Sequence, residues 1–299
     1  MTPNRLTAYT KNGATTLLRY DQAGNLLADD EARYSYDAFN RTTRVETFDG
    51  NIQFKRYDAE GLRYEMEENG SLVKFIFNPD REAVIEESSS SLTRYIRSSE
   101  LIARNTDAAR TYYHYVSDEM GSTTHIVDED GIVLNHYDYD AWGNLTAQEE
   151  AVPNRFKFTG QQLDPVTQQY YLRARFYNPV IARFTQEDTY RGDGLNLYAY
   201  CANRPTHYID PTGHWCGTKQ DVFNKLAAER GLNPDKMDYD TKQSLMAEAS
   251  NIVKEQKKNS YATAQNSTLA LPPSPIVIDS YYNMSTRVYL KTQKRPKKC

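Results

Sequence analysis

The chain has 299 residues, 39% apolar and 25% charged, enough for one large domain and a small one. No apolar run approaches the roughly 18 residues of a membrane span, and no signal-like apolar core opens the chain, so it reads as soluble with no export address of its own. Three cysteines, Cys201, Cys216 and Cys299, are too few and too scattered for a disulfide framework or a zinc cluster. Charge divides the chain: residues 1–214 carry 22 Lys/Arg against 32 Asp/Glu, net −10, and residues 215–299 carry 14 against 8, net +6. Two such parts attract each other, or the basic one seeks an acidic partner.

Tyrosine dominates the aromatic content, with 24 against 10 phenylalanines, 19 of them before Trp215. The ring suits a pleated surface while the hydroxyl stays wet or finds a partner. An irregular repeat runs through this part: "YDQAGNLL" from Tyr20, "YDAFNRTT" from Tyr36, "YDAEGLRY" from Tyr57, a looser "YVSDEMGS" from Tyr115, and "YDAWGNLT" from Tyr139. Asp, then Gly or Asn a few residues on, are turn formers, so each unit reads as strand, turn, strand. Asp-Gly or Asn-Gly in "FDGN" (Phe48–Asn51), "ENGS" (Glu68–Ser71) and "EDGI" (Glu129–Ile132) predicts two-residue type I′ hairpins. Ser71–Asn78 reads as a strand and Glu86–Ser91 as a loop tip. The expectation is a mainly β chain, an antiparallel sheet over most of residues 1–180.

From Lys219 the period becomes helical, with Val222, Phe223, Leu226 and Ala227, then Gly231 and Pro234 as a stop. A second helix is predicted from about Thr241 to Lys257, with Leu245, Met246, Ala249, Ile252 and Val253 on one face. A proline-rich link from Leu269 leads to two expected strands and a basic end, Lys294–Lys298. The five histidines all lie at or before His214, which excludes His-dependent nucleases and Cys-His proteases built wholly from the tail. No Gly-rich phosphate loop is present either.

Between the two parts lies "PTHYIDPTGHWCG" (Pro205–Gly217), a stiff aromatic junction rather than a polar linker. Together with "YHYVSDEMGSTTHIVDEDGIVLNHYDYDAWGNL", "RFKFTGQQLDPVTQQYYLRARFYNPVIARFTQEDTY" and "NLYAYCANRPTHYIDPTG", it resembles the Rhs repeat-associated core. That core closes the tyrosine-aspartate repeat shell of Rhs and wall-associated polymorphic toxins and of Tc-toxin C components. The resemblance implies an antiparallel sheet wound into a shell, closed by the core and followed by a small α or α+β cargo. Expected boundaries are 1–112 for repeats, 113–214 for the core and 215–299 for the variable cargo.

The resemblance also implies an activity, an intramolecular aspartyl protease that frees the cargo. Its two aspartates map to Asp188 and Asp210, a supporting arginine to Arg183, and the cut to the His214–Trp215 bond. Two positions depart from the family pattern. Thr189 follows Asp188 where proline is usual, with Gly192 one place late, and His214 stands where a leucine often precedes the cut. The chemistry suits the residue types, because two carboxyls sharing one proton provide a base for water and an acid for the leaving amine. "DPTG" is equally a good β-turn, and "LDPVTQQYY" at Asp164 is read as such a turn without chemistry. "RGD" (Arg191–Asp193) and the calcium-like fragments "DEDG" and "DYD" are read as solvated turns, and His114, His125 and His136 need not converge.

The expected function is therefore the C-terminal part of a secreted or cell-surface parent acting in competition between cells. Its own tail is the substrate, and no cofactor or metal is called for. An immunity protein and a nucleic-acid target for the tail are the partners considered. The alternative is a non-enzymatic surface protein whose tyrosines stack on carbohydrate or bind a neighbouring cell; a third is a stranded fragment too short to close a shell.

Overall fold

A computed structural model describes residues 4–98, 100–107, 111–189 and 196–214, with isolated positions between 226 and 252. Fourteen strands, from Arg19–Tyr20 to Leu145–Glu150, form one antiparallel sheet in which each strand pairs with its neighbours in sequence. A separate hairpin, Ala8–Lys11 with Ala14–Leu17, precedes it. Four short strands, Gln162–Leu163, Tyr170–Tyr171, Phe176–Asn178 and Arg183–Phe184, make a second small sheet. The chain is mainly β, as its composition predicts.

The repeat is a five-residue turn built on one side chain. At Asp21, Asp37, Asp58, Asp118, Asp128 and Asp140 the aspartate N–H donates to the carbonyl four residues on, and its own carbonyl accepts from the N–H three residues on. Its Oδ1 accepts the N–H of the fourth residue at 2.8–2.9 Å. The third residue after the aspartate sits at φ between +61° and +91°, and is Gly24, Asn40, Gly61, Gly121, Gly131 or Gly143. That left-handed position explains why Gly or Asn follows at fixed distance. The strand pairing slips by one residue immediately before each of these aspartates, a bulge that turns the chain into the loop.

The tyrosine before the aspartate ties one repeat to the next. Tyr36 donates to the Leu26 carbonyl at 2.7 Å, Tyr57 to Thr42 at 2.8 Å and Tyr139 to Thr123 at 2.7 Å. The acceptor is the fifth residue after Asp21, Asp37 and Asp118 respectively, the aspartate of the turn two strands earlier at the same end of the sheet. Burial raises the affinity of these phenols for their protons, so they act as donors throughout the usual pH range.

Of the three predicted type I′ hairpins, Asn69-Gly70 is one, with φ of 47° and 83° between paired Glu68 and Ser71. "EDGI" is instead the Asp128 turn. "FDGN" is the same turn with Thr47 in the aspartate's place, its Oγ1 accepting the Asn51 N–H at 2.9 Å. A further copy at Phe77-Asn78 uses the asparagine Oδ1 to accept the Glu82 N–H at 2.9 Å, with Arg81 at φ 63°. Two-residue turns lose to these because a short acceptor one place before the Asp-Gly-containing segment captures the fourth N–H.

Residues 151–214 pack on the sheet through tyrosines and buried charge. Tyr198 donates to the Gly24 carbonyl, Tyr170 to Gly143 and Tyr177 to Trp142, all at 2.8–2.9 Å, so core hydroxyls grip the first and last repeat turns. Tyr177 stacks on Tyr200 with centroids 4.1 Å apart, within a cluster containing Phe158, Tyr170 and Phe184. Asp164, fully buried, meets Lys55 at 3.0 Å and Arg63 at 3.7 Å from two neighbouring sheet strands, and accepts from Gln53 at 3.1 Å. Burial pushes its carboxyl up, but those two cations and the hydrogen bonds outweigh it and hold the pKa at about 2. The residue read as a plain turn is thus the ion-paired joint between core and sheet.

In the tail, Leu226, Ala227, Asp240, Thr241, Ser244, Leu245, Glu248 and Ile252 are helical. Ala227 and Leu245 are buried together with Leu226 and Met237 alongside, and Arg230 pairs with Glu248 at 2.6 Å. Val222, Phe223, Pro234, Met246, Ala249, Val253, the strands expected after Leu269 and the basic end Lys294–Lys298 lie outside the described residues.

Candidate active site

The turn after Leu172, the segment after Phe184 and the Asp210 turn meet at one buried point. After strand Arg183–Phe184 the chain runs to Asp188, whose N–H donates to the Leu197 carbonyl at 3.0 Å. The chain returns through a short turn at Cys201–Asn203 to Asp210. There the Asp-Pro-Thr-Gly turn forms: Oδ1 of Asp210 accepts from the N–H of Thr212 at 3.0 Å and of Gly213 at 2.8 Å, and from the Thr212 hydroxyl at 3.2 Å. Gly213 has φ +79°, and a Cβ there would lie 2.5 Å from the Leu172 carbonyl oxygen. Only glycine lets this strand press against the turn after Leu172.

His214 comes next, held by its N–H to the Thr212 hydroxyl at 3.1 Å. Its Nδ1 donates to Oδ1 of Asp188 at 2.6 Å. The other Asp188 oxygen takes Arg175 Nη2 at 2.6 Å. Arg175 also donates through Nε to the Gly213 carbonyl and through Nη1 to the Leu197 carbonyl at 2.9 Å, and its guanidinium lies 3.6 Å from the centroid of Phe184. Asp188, Asp210, His214 and Arg175 are all buried, Asp210 at 1% exposure.

Burial pushes the Asp210 carboxyl above the ordinary carboxylate range. Arg175 opposes this, as do the hydrogen bonds from Thr212 and Gly213, and the nearby negative charge of Asp188 adds to the rise. Asp188, by contrast, has a guanidinium on one oxygen and an imidazole on the other. The two carboxyls therefore sit in different surroundings, Asp188 between a guanidinium and an imidazole and Asp210 among backbone and hydroxyl donors.

Asp188, Asp210 and His214 are thus brought together. Arg183 is not with them: its Nη1 donates to the Asn4 carbonyl at 3.0 Å. Neighbouring strand residues point to opposite faces, and Phe184 takes the face beneath Arg175. The arginine of the cluster, Arg175, was not singled out from sequence. The available signal was "YYLRARFY", where charged residues inside an aromatic run have to be buried with partners. Trp215, Gly192 and Arg191–Asp193 lie outside the described residues.

Two other clusters stand apart. His125 and His136 are direct cross-strand partners with ring centroids 4.8 Å apart, so two of the three spaced histidines do meet. His136 also contacts Asp138 at 3.4 Å, whereas His114 pairs with Val127. Among the described residues no three His, Cys, Asp or Glu are grouped to hold a metal. A cleft of about 660 Å³ between the N-terminal hairpin, the Asp140 turn and the small sheet shares no residue with the aspartate cluster.

Comparison with known proteins agrees with this architecture. The chain is 33% identical over 213 residues to the tRNA3(Ser)-specific nuclease WapA of Bacillus spizizenii, covering 66% of this chain and 9% of that protein. It is 29% identical over 206 residues to double-stranded DNA deaminase toxin A of Burkholderia cenocepacia, covering 66% of this chain and 14% of that one. Toxin protein Tse5 of Pseudomonas aeruginosa is 27% identical over 202 residues, with coverage of 61% and 15%. The chain therefore spans a small fraction of the length of the curated relatives it matches. Among solved structures, the crystal structure of TcdB2-TccC3-Cdc42 superposes with a TM-score of 0.56 at 16% identity, over 69% of this chain and 12% of that one. TcdB2-TccC3 without its hypervariable C-terminal region gives 0.52 at 15% identity, over 67% and 13%. The teneurin YD-shell family model matches residues 4–206, and with the repeat turns, the tyrosine ties and the shell-like sheet all in place, this chain belongs to the YD-shell family.

Proposed function

We propose that the chain is the C-terminal part of an Rhs-type polymorphic toxin whose core cuts its own backbone after His214 and so frees the basic tail as cargo. The observation that carries this reading is the buried meeting of Asp188 and Asp210, with Arg175 holding both Asp188 and the Gly213 carbonyl of the strand leading to the cut. Asp188, ionised, takes a proton from a water whose oxygen bonds to the His214 carbonyl carbon. Asp210, protonated, polarises that carbonyl and gives its proton toward the amine of Trp215 as the C–N bond breaks. The products are a carboxylate at His214 and a free amine at Trp215, with no other reactant than water. Because the substrate is the next stretch of the same chain, positioning supplies on the order of 7–11 kcal/mol of the barrier, and a modest acid-base pair suffices for a single event.

The names of the matched relatives, a nuclease, a deaminase toxin and a toxin protein, support a toxin parent. In that setting the parent acts at or beyond the cell surface and is paired with an immunity protein, and the tail, net +6, acts on a polyanion such as nucleic acid. The intact mass of the purified chain tests the core reading: 299 residues should resolve into pieces of 214 and 85. Asp188→Asn and Asp210→Asn should each leave a single full-length species. Acid scission at Asp-Pro breaks after Asp210 instead, so the fragment mass separates it from enzymatic cutting.

A further inference from the structure

His214 is both the residue on the acyl side of the proposed cut and a ligand of one of the two aspartates. Its imidazole is 5% exposed, and Nδ1 lies 2.6 Å from Oδ1 of Asp188. An aliphatic side chain in this place could fill the volume but could not donate. The contact closes a small ring: Asp188 is bound to His214 by its imidazole, His214 to Thr212 by its N–H, Thr212 to Asp210 by N–H and hydroxyl, and Arg175 spans Asp188 and Gly213. These links hold the His214 backbone N–H and imidazole in fixed relation to both aspartates.

We infer that His214 is a positioning residue supplied by the substrate strand itself: its Nδ1–H orients Asp188 and registers its own carbonyl, so that cutting depends on the side chain preceding the bond. This rests on the self-cutting reading above. The functional atom is a single N–H donor. Asparagine places an amide N–H at nearly the same distance along the side chain, glutamine places it one carbon further out, and leucine has none.

The test follows cutting over time from freshly refolded full-length chain, by intact mass. His214→Leu should slow the cut on the order of 10- to 100-fold, the range expected for one lost hydrogen bond to a charged group. His214→Asn should recover most of that rate, and His214→Gln should resemble leucine. Melting of the same variants in an Asp210→Asn background, where no cut occurs, reports folding separately. Should leucine not fold there, the asparagine–glutamine pair decides. Leucine or glutamine cutting at the wild-type rate overturns the inference while leaving the aspartates in place. A wild-type chain that stays intact, or that cuts equally with both aspartates changed to asparagine, overturns it together with the self-cutting reading.

Discussion

The repeat sheet and the core solve opposite problems with the same residue types. In the sheet, each repeat-turn aspartate bonds within five residues, and Tyr36, Tyr57 and Tyr139 reach back 10 to 16, so structure is locally determined and repeats. In the core, aspartates meet partners far away: Asp164 binds residues more than 90 positions earlier, and Asp188 binds His214, 26 positions later. An exposed aspartate at a turn stabilises a loop at little cost. A buried one has to be matched by cations and donors, and such matched sites are where chemistry can be tuned.

The largest effect should come from breaking the joint between the two regions. Asp164→Ala leaves Lys55 and Arg63 buried without their carboxylate, a change expected to cost ~3–5 kcal/mol and readable by urea unfolding. Because the folded pKa is held at about 2, below the ordinary 3.8, this stabilisation is complete above the unfolded value and is lost as pH falls from about 4 toward 2. Wild type should lose stability in that window, and Asp164→Asn should show much less pH dependence there.

Next in size is the contrast between two arginines. Arg175→Lys keeps the charge but cannot span Asp188, Gly213 and Leu197 at once, so cutting should fall about 100-fold, as for loss of a charged-group hydrogen bond. Arg183→Ala, which gives up only a contact to the Asn4 carbonyl, should cut near the wild-type rate. Fragment mass over time distinguishes them, and equal slowing in both would return the role to Arg183.

The smallest effect belongs to the repeats. Tyr57→Phe removes the bond to the Thr42 carbonyl and should cost about 1 kcal/mol by thermal or urea unfolding, with the cut unchanged. A loss several times larger would mean that the sheet is as tightly coupled as the core.

This contrast also explains what could be read beforehand. Tyr-Asp followed by Gly was legible because the turn is a local hydrogen-bond pattern with a left-handed residue at fixed distance. Its copies at Thr47 and Asn78 were hidden, since any short acceptor can replace the aspartate carboxylate. Asp188, Asp210 and His214 were marked by a family resemblance, and the structure gathers them. The aromatic run around Arg175 marks a buried charge without naming its partners, and the Lys55–Arg63–Asp164 joint had no local signature, because each set of contacts exists only once distant strands meet.

The tyrosine tie has a consequence for how such proteins change length. The acceptor is the fifth residue after Asp21, Asp37 or Asp118, and it lies 10 residues before Tyr36, 15 before Tyr57 and 16 before Tyr139. The rim carrying Asp21, Asp37, Asp58, Asp118 and Asp140 is therefore held in register across unequal spacings to the opposite tips, which carry Thr47, Asn69 and Asp128. Insertions, deletions and recombination between genes can accumulate at those tips, or add whole units, without shifting the rim on which the core is seated.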